Sequence, residues 1–290
     1  MERKDFIKLS SLGFLGLYSC GISNLNMSKK TLAIQLYTVR DSISKDLEKT
    51  FEKLAELGFT EFEIYGYNGK FFGKTAKEFK QILSDNGLKV ISSHHQTGIT
   101  NKENGTLLQN WDQTLDDLNY IDSKYAVCSY LPEVERTHEN YKKLPEILEN
   151  AGKISKQNGI QLAYHNHDFE FLKMDEQRSY YDFILESTSS DLVKMELDLY
   201  WISKAGLDPL TYFEKYPKRF PLWHVKDMKY VTKDFTEIGN GTIDFKRIFE
   251  AKEKAGLKHW FLEQDSSDKD IFESIKISKK YIFEHDFFIK

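Results

Sequence analysis

Apolar residues recur along this chain with two spacings, and the two alternate. Period two marks a half-buried strand. It runs through residues 31–39, where Leu32, Ile34 and Leu36 share one face and Ala33, Gln35 and Tyr37 the other. A helical period follows over 46–58, with Leu47, Phe51, Leu54 and Ala55 as its apolar stripe and Gly58 as its natural stop. The alternation then repeats. Strands are predicted at 59–65, 88–94, 125–130, 160–165, 192–199, 220–225 and 259–263, helices begin near 75, 107, 141, 180, 209 and 245, and a last helix covers 269–284. Such alternation predicts parallel strands joined by helical crossovers. Eight units in about 260 residues is the size of a (β/α)8 barrel, an α/β fold. The competing fold is a doubly wound open sheet. It normally carries a glycine-rich phosphate loop after an early strand, and the sequence has none.

Composition narrows the picture. The chain has 290 residues, 40% of them hydrophobic and 14% aromatic, enough for one sizeable core. A formal net charge of -4 argues against a general nucleic-acid binder, which carries a basic surface. No apolar run approaches the roughly 18 residues of a membrane span. The start of the chain reads differently: Arg3 and Lys4 precede a modestly apolar run over 6–18 and then small residues, the pattern of an export signal. Residues 3–8 resemble a twin-arginine signal with Lys4 in place of the second arginine. Residues 17–20 resemble a lipoprotein cleavage box with Cys20 as the lipidated residue, although Tyr18 is bulky for that box. The expectation is a leader and short linker over 1–28, a barrel over 29–290, and an exported protein, periplasmic or membrane-anchored as a lipoprotein through Cys20. A frayed amphipathic helix is the competing reading of the leader. The only other cysteine, Cys128, sits in an apolar strand pattern and reads as a small core residue.

Candidate chemistry falls at the strand ends, where parallel barrels place their sites. The densest stretch is Tyr164-His165-Asn166-His167-Asp168-Phe169-Glu170-Phe171, and Glu196-Leu197-Asp198, His224-Val225-Lys226-Asp227 and Glu263-Gln264-Asp265 end the next three strands. Period two turns Glu196 and Asp198 away from Val193, Met195 and Leu197, turns His224 and Lys226 away from Trp223 and Val225, and groups His165 with Ala163 and Glu263 with Phe261. With these faces luminal, His165, Asp198, His224 and Glu263 stand in one ring. Two imidazoles and two carboxylates suit Mn2+, Zn2+, Co2+ or Fe2+ better than Mg2+.

These words carry a resemblance. Together with Gly239-Asn240-Gly241 and Tyr200-Trp201, they make residues 30–290 resemble the xylose-isomerase-like barrel superfamily. That superfamily includes sugar (phosphate) isomerases and epimerases, inosose dehydratases and endonuclease IV. Ketose 3-epimerases of this group hold a divalent metal with Glu, Asp, His and Glu from strands five to eight. The last three correspond to Asp198, His224 and Glu263; the first corresponds to His165, a departure from a residue that is both ligand and acid/base in those enzymes. A substrate-contacting histidine of the family corresponds to Trp201, which reads as a sugar-stacking platform.

The resemblance implies a metal-dependent sugar isomerase or epimerase working through an enediolate on an unphosphorylated or keto sugar. Glu263 is the expected base, with His167, Glu170 and Lys226 as candidates for the second proton carrier. The alternative is a lyase that eliminates the aglycone from a 3-keto-glycoside. Gln35, Tyr37, Glu63, His94, His95 and Trp201 are candidate substrate contacts, one of the two adjacent histidines facing the lumen. Asp227 and Asp265 are expected to orient ligands, and Lys226 is also read as an ion-pair partner of these acids. Phosphodiester cleavage of the endonuclease IV type needs more ligands and a basic surface. A non-catalytic sugar-binding barrel and a homo-oligomer remain open. The expected partner is a small sugar or glycoside, with no nucleic acid and no membrane contact beyond a lipid on Cys20.

Overall fold

The computed structural model describes residues 31–288; the leader expected over 1–28, Cys20 included, lies outside them. Ten strands follow in chain order: β1 (Ala33–Gln35), β2 (Glu61–Ile64), β3 (Lys89–Gln96), β4 (Tyr125–Tyr130), β5 (Gln161–His165), β6 (Val193–Asp198), β7 (Leu222–Val225), β8 (Asp227–Met228), β9 (Phe235–Thr236) and β10 (His259–Leu262). Strands β1 to β7 and β10 form a closed barrel in the order β1-β10-β7-β6-β5-β4-β3-β2. Every neighbouring pair is parallel, and the seam is closed by β1 on β10, with Ile34 opposite Leu262. Closure excludes the open sheet. Helices follow the strands, as the two alternating periods require. The helix Ala76–Asp85, for example, starts with a capping box in which Thr75 and Glu78 satisfy each other's backbone N–H groups.

Outward residues such as Ile34, Phe62, Leu162, Met195 and Trp223 bury against these helices in the main core. Inside the barrel a second, small apolar cluster holds Ala33, Ile91, Val127, Ala163, Leu222 and Phe261. The polar residues lie one pleat further along the same strands. Gln35 follows Ala33, His165 follows Ala163, His224 follows Leu222 and Glu263 follows Phe261, each two positions on. Side chains two apart share a face. The barrel is therefore plugged with hydrocarbon below and polar above, and this layering places the site.

Several boundaries differ from the pattern-based expectation, each for a local reason. The strand expected over 31–39 stops at Gln35, whose side chain accepts from Tyr37 N and turns the chain into the 3-10 turn Leu36–Val39. The strand expected to 199 stops at Asp198, which caps an unexpected helix, Leu199–Lys204. The helix expected over 245–256 breaks into Phe245–Glu250 and Lys252–Ala255 before Gly256, at φ 84°. Hydrophobic period also missed the antiparallel pair β8–β9, whose strands have two residues each.

Candidate metal centre and cavity

Four strand ends bring the expected ligand set together. One donor atom from each of His165, Asp198, His224 and Glu263 lies within 4.8 Å of the others, and all four residues are buried. His165 Nε2 is 3.2 Å from His224 Nδ1 and 3.3 Å from Asp198 Oδ2. Glu263 Oε2 is 2.5 Å from His224 Nδ1.

The donor chemistry fits a divalent cation. His165 Nδ1 lies 3.2 Å from the Ser129 carbonyl, which can only accept, so the proton sits on Nδ1 and the lone pair on Nε2 faces the cluster. Asp198 divides its two oxygens. Oδ1 accepts from Tyr200 N and Trp201 N, both at 2.9 Å, while Oδ2 faces the cluster. Asn166 Oδ1 in turn accepts from Asp198 N at 3.0 Å and ties β6 to β5. Two nitrogen and two oxygen donors suit Zn2+, Mn2+, Co2+ or Fe2+.

Lys226 supplies the nearby positive charge. Its Nζ lies 3.0 Å from Asp198 Oδ2, 2.8 Å from Glu263 Oε2 and 3.2 Å from Asp265 Oδ2. Burial alone would raise the carboxyl pKa of Glu263, but Lys226 and His224 outweigh it and hold the group well below the usual range. Burial pushes Asp265 up to about 7, against the pull of Lys226. Burial pulls His165 down to about 4 and also lowers His167, with help from the neighbouring His165 and the charge of Lys226.

A second buried layer lies under His224. His224 Nε2 is 2.5 Å from Glu63 Oε1, and His94 Nε2 is 2.8 Å from Glu196 Oε2 and 2.9 Å from Glu63 Oε1. Burial opposes the charge on His94, but Glu63 and Glu196 prevail and raise its pKa to about 9. Glu196 rises to about 7 through burial and the neighbouring charge of Glu63.

Above the cluster opens a cavity of about 830 Å³. Tyr37, Tyr65, Tyr130, Trp201 and Phe235 give it aromatic walls, and His94, His167, Lys226, Glu263 and Asp265 also line it. The His167 ring stacks on Phe169 at 5.1 Å and lies 5.2 Å from Trp201.

Other expected site residues lie elsewhere. Gln35 and Glu63 were expected at sugar hydroxyls, but both are fully buried and neither lines the cavity. Gln35 donates to Glu63 at 2.8 Å, and Glu63 in turn meets His94 and His224. Glu170, expected near the substrate, sits behind the wall. Its carboxylate accepts from Tyr164 OH at 2.9 Å and His167 N at 2.8 Å, and burial raises its pKa to about 7. Of the adjacent pair, His94 faces the lumen. His95, also at the cavity edge, donates from Nδ1 to Gly105 O at 2.7 Å and meets Trp111 edge-on.

Asp227 does not orient a ligand. Its carboxylate accepts from the backbone N–H groups of Met228, Gly239, Gly241 and Ile243 and so holds the loop that carries Phe235. Glu196 was the miss. It shares a face with Asp198 at period two, a signal already legible in Glu196-Leu197-Asp198.

Fold and cluster together define a class, parallel barrels with a His, Asp and Glu cluster able to hold a divalent cation at the C-terminal strand ends. A family model described as xylose isomerase-like TIM barrel matches residues 51–281, and the chain belongs to that family. It is similar to an inosose dehydratase of Lacticaseibacillus casei, 26% identical over 273 residues that cover 81% of this chain and 89% of the relative. The solved sugar phosphate isomerase/epimerase of Parabacteroides distasonis superposes with a TM-score of 0.78 at 28% identity, covering 92% of this chain and 97% of that one. The IOLI protein, solved with a zinc atom, shares the fold at a TM-score of 0.68 and 14% identity, over 88% of this chain and 97% of its own.

Proposed function

We propose that this chain is a metal-dependent lyase that removes the proton next to the carbonyl of a keto-sugar or keto-glycoside and expels a group from the adjacent carbon. One observation carries this reading: a carboxylate and a cationic proton donor stand on the same wall, with Lys226 Nζ 2.8 Å from Glu263 Oε2. His165, Asp198, His224 and Glu263 would hold the ion, which when bound supplies the Lewis acidity that acidifies a C–H next to a carbonyl.

Glu263 takes the proton from that carbon. The electron pair left behind forms the carbon–carbon double bond as the substituent on the next carbon departs. Lys226, charged and paired to Glu263 and Asp265, donates the proton that the leaving oxygen needs. The products are an enone and water or an alcohol. Trp201 and Phe235 form an apolar wall beside this pair, with Lys226 Nζ 5.7 Å from the Trp201 ring centre and 5.8 Å from that of Phe235. The dehydratase relatives support this reading.

A second reading, isomerisation or epimerisation, is favoured by His167. It extends from the end of β5, well around the barrel from Glu263, and its Nδ1 is buried without a partner. Proton return from that side would invert the carbon. The two readings part in D2O. The metal-loaded chain is incubated with keto-sugars and 3-keto-glycosides and followed by NMR and ultraviolet absorption. The lyase reading expects a conjugated enone and a released alcohol or water. A deuterated diastereomer without enone would replace it with the epimerase reading. Absence of both enone and deuterium exchange with every substrate would sink both readings.

A further inference from the structure

The buried layer beneath the cluster is not explained by substrate contact, because Glu63 and Glu196 are sealed from the cavity. Its geometry converges on one ring. His224 presents Nδ1 to Glu263, His165 and Asp198, at 2.5, 3.2 and 3.6 Å, and Nε2 to Glu63 at 2.5 Å. A neutral imidazole has one N–H and one lone pair. If Nδ1 is to give its lone pair to a cation, the proton must be on Nε2 and must have an acceptor there. Glu63 Oε1 is that acceptor.

Glu63 is itself aimed from below. Gln35 Nε2 donates to the same Glu63 oxygen at 2.8 Å, and Gln35 Oε1 accepts from Tyr37 N at 3.0 Å, which sets which end of the amide faces Glu63. The His94 ring stacks on His224 at 5.4 Å with an interplanar angle of 19° and limits its tilt.

Resting on the metal reading above, we infer that Glu63, oriented by Gln35, is a positioning residue that fixes the His224 ring with its Nδ1 lone pair towards the cation site. The same layer also has the spacing of an ion site, since Glu63, His94, Glu196 and His224 bring donor atoms within 4.8 Å of one another. One imidazole cannot serve two ions unless it loses both protons, and the short approach to Glu63 uses the proton on Nε2. The inference therefore assigns one ion per chain.

The test uses the metal-free chain titrated with Co2+, read by visible absorption and by competition with a chromogenic chelator. The wild-type chain is expected to take one equivalent. Second-sphere partners of a ligating histidine typically contribute about 10- to 100-fold in metal affinity. Glu63→Gln keeps an acceptor but loses the charge, and is expected to weaken Co2+ near the lower end of that range. Glu63→Leu should approach the upper end, and Gln35→Leu should weaken binding less than either. The cobalt spectrum should shift in the Glu63 variants, a change that a merely structural role would not produce. Circular dichroism of each metal-free variant establishes that it is folded, and Gln35→Leu keeps the test decisive if Glu63→Leu does not fold. Folded Glu63→Gln and Gln35→Leu chains with wild-type affinity and spectrum would overturn the inference while leaving the metal reading intact. A second equivalent of Co2+ in the wild type, lost on changing Glu63, would also overturn it. A wild-type chain that binds no Co2+ would remove the metal reading and this inference together.

Discussion

Asp198 serves two purposes through two oxygens, and a pair of substitutions separates them. Oδ1 caps the helix Leu199–Lys204 by accepting from Tyr200 N and Trp201 N, each at 2.9 Å. Oδ2 faces the cation site, 3.3 Å from His165 Nε2 and 3.0 Å from Lys226 Nζ. Asp198→Asn keeps an oxygen for the cap, because Asn and Asp are equivalent there. It replaces the anionic donor with an amide. Asp198→Ala removes both. Loss of such a cap costs about 1 kcal/mol, and a buried N–H left without an acceptor can bring the total to about 1–3 kcal/mol.

The alanine chain should therefore be less stable than the asparagine chain by about 1–3 kcal/mol. At this chain length each kcal/mol is about 2–4 °C in Tm, so the two should melt roughly 2–12 °C apart. Both should lose bound metal. Melting is followed on metal-free chains, since a bound ion would add its own stabilisation by mass action, and metal content is read by elemental analysis. Full metal content in Asp198→Asn, or coincident melting of the two variants, would refute the division of labour between the two oxygens.

Two further outcomes follow from groups away from the ion. A Cβ at Gly241 would stand 2.1 Å from Asp227 Oδ1 and 2.6 Å from Met228 O. Gly241→Ala should cost about 1–3 kcal/mol by overpacking, read as a lower denaturation midpoint; an unchanged midpoint would show that the loop has room to shift. Glu170 gives a pH signature. Burial raises its folded pKa from 4.5 to about 7, so its contribution to stability is complete below the unfolded value and is lost as pH rises through the folded one. The span corresponds to something on the order of 3 kcal/mol. Glu170→Gln should flatten the fall in Tm across that window, and parallel wild-type and mutant curves would remove Glu170 as its source.

The barrel and the convergence of His165, Asp198, His224 and Glu263 were both legible in the residues. Alternation of period two with a helical period requires strands whose outer faces are covered by helices, and eight such units close a barrel. Period two also placed His165, Asp198, His224 and Glu263 on inward faces, because side chains two apart must point the same way. The apolar residue two positions before His165, His224 and Glu263, namely Ala163, Leu222 and Phe261, shares that face and fills the lumen beneath.

Depth was not legible. Gln35 and Glu63 look like strand-end polar residues in the sequence, yet the shear of the barrel sets them below His224 rather than beside a substrate. Glu170 follows His167 closely in the chain, but the turn of Phe169–Phe171 carries its carboxylate back under the strand. Asp227 adjoins Lys226, but alternation turns it to the other side, where four backbone N–H groups take it.

What the sequence determined by itself was therefore the order of elements and the face on which each side chain lies, because those follow from covalent geometry and from the cost of exposing apolar surface. Only the tertiary structure decided which inward residues share a level. That depends on the register between strands far apart in the chain, as when Asp198 is set opposite His224. It made Glu63 a neighbour of a residue 161 positions away, which no local pattern encodes.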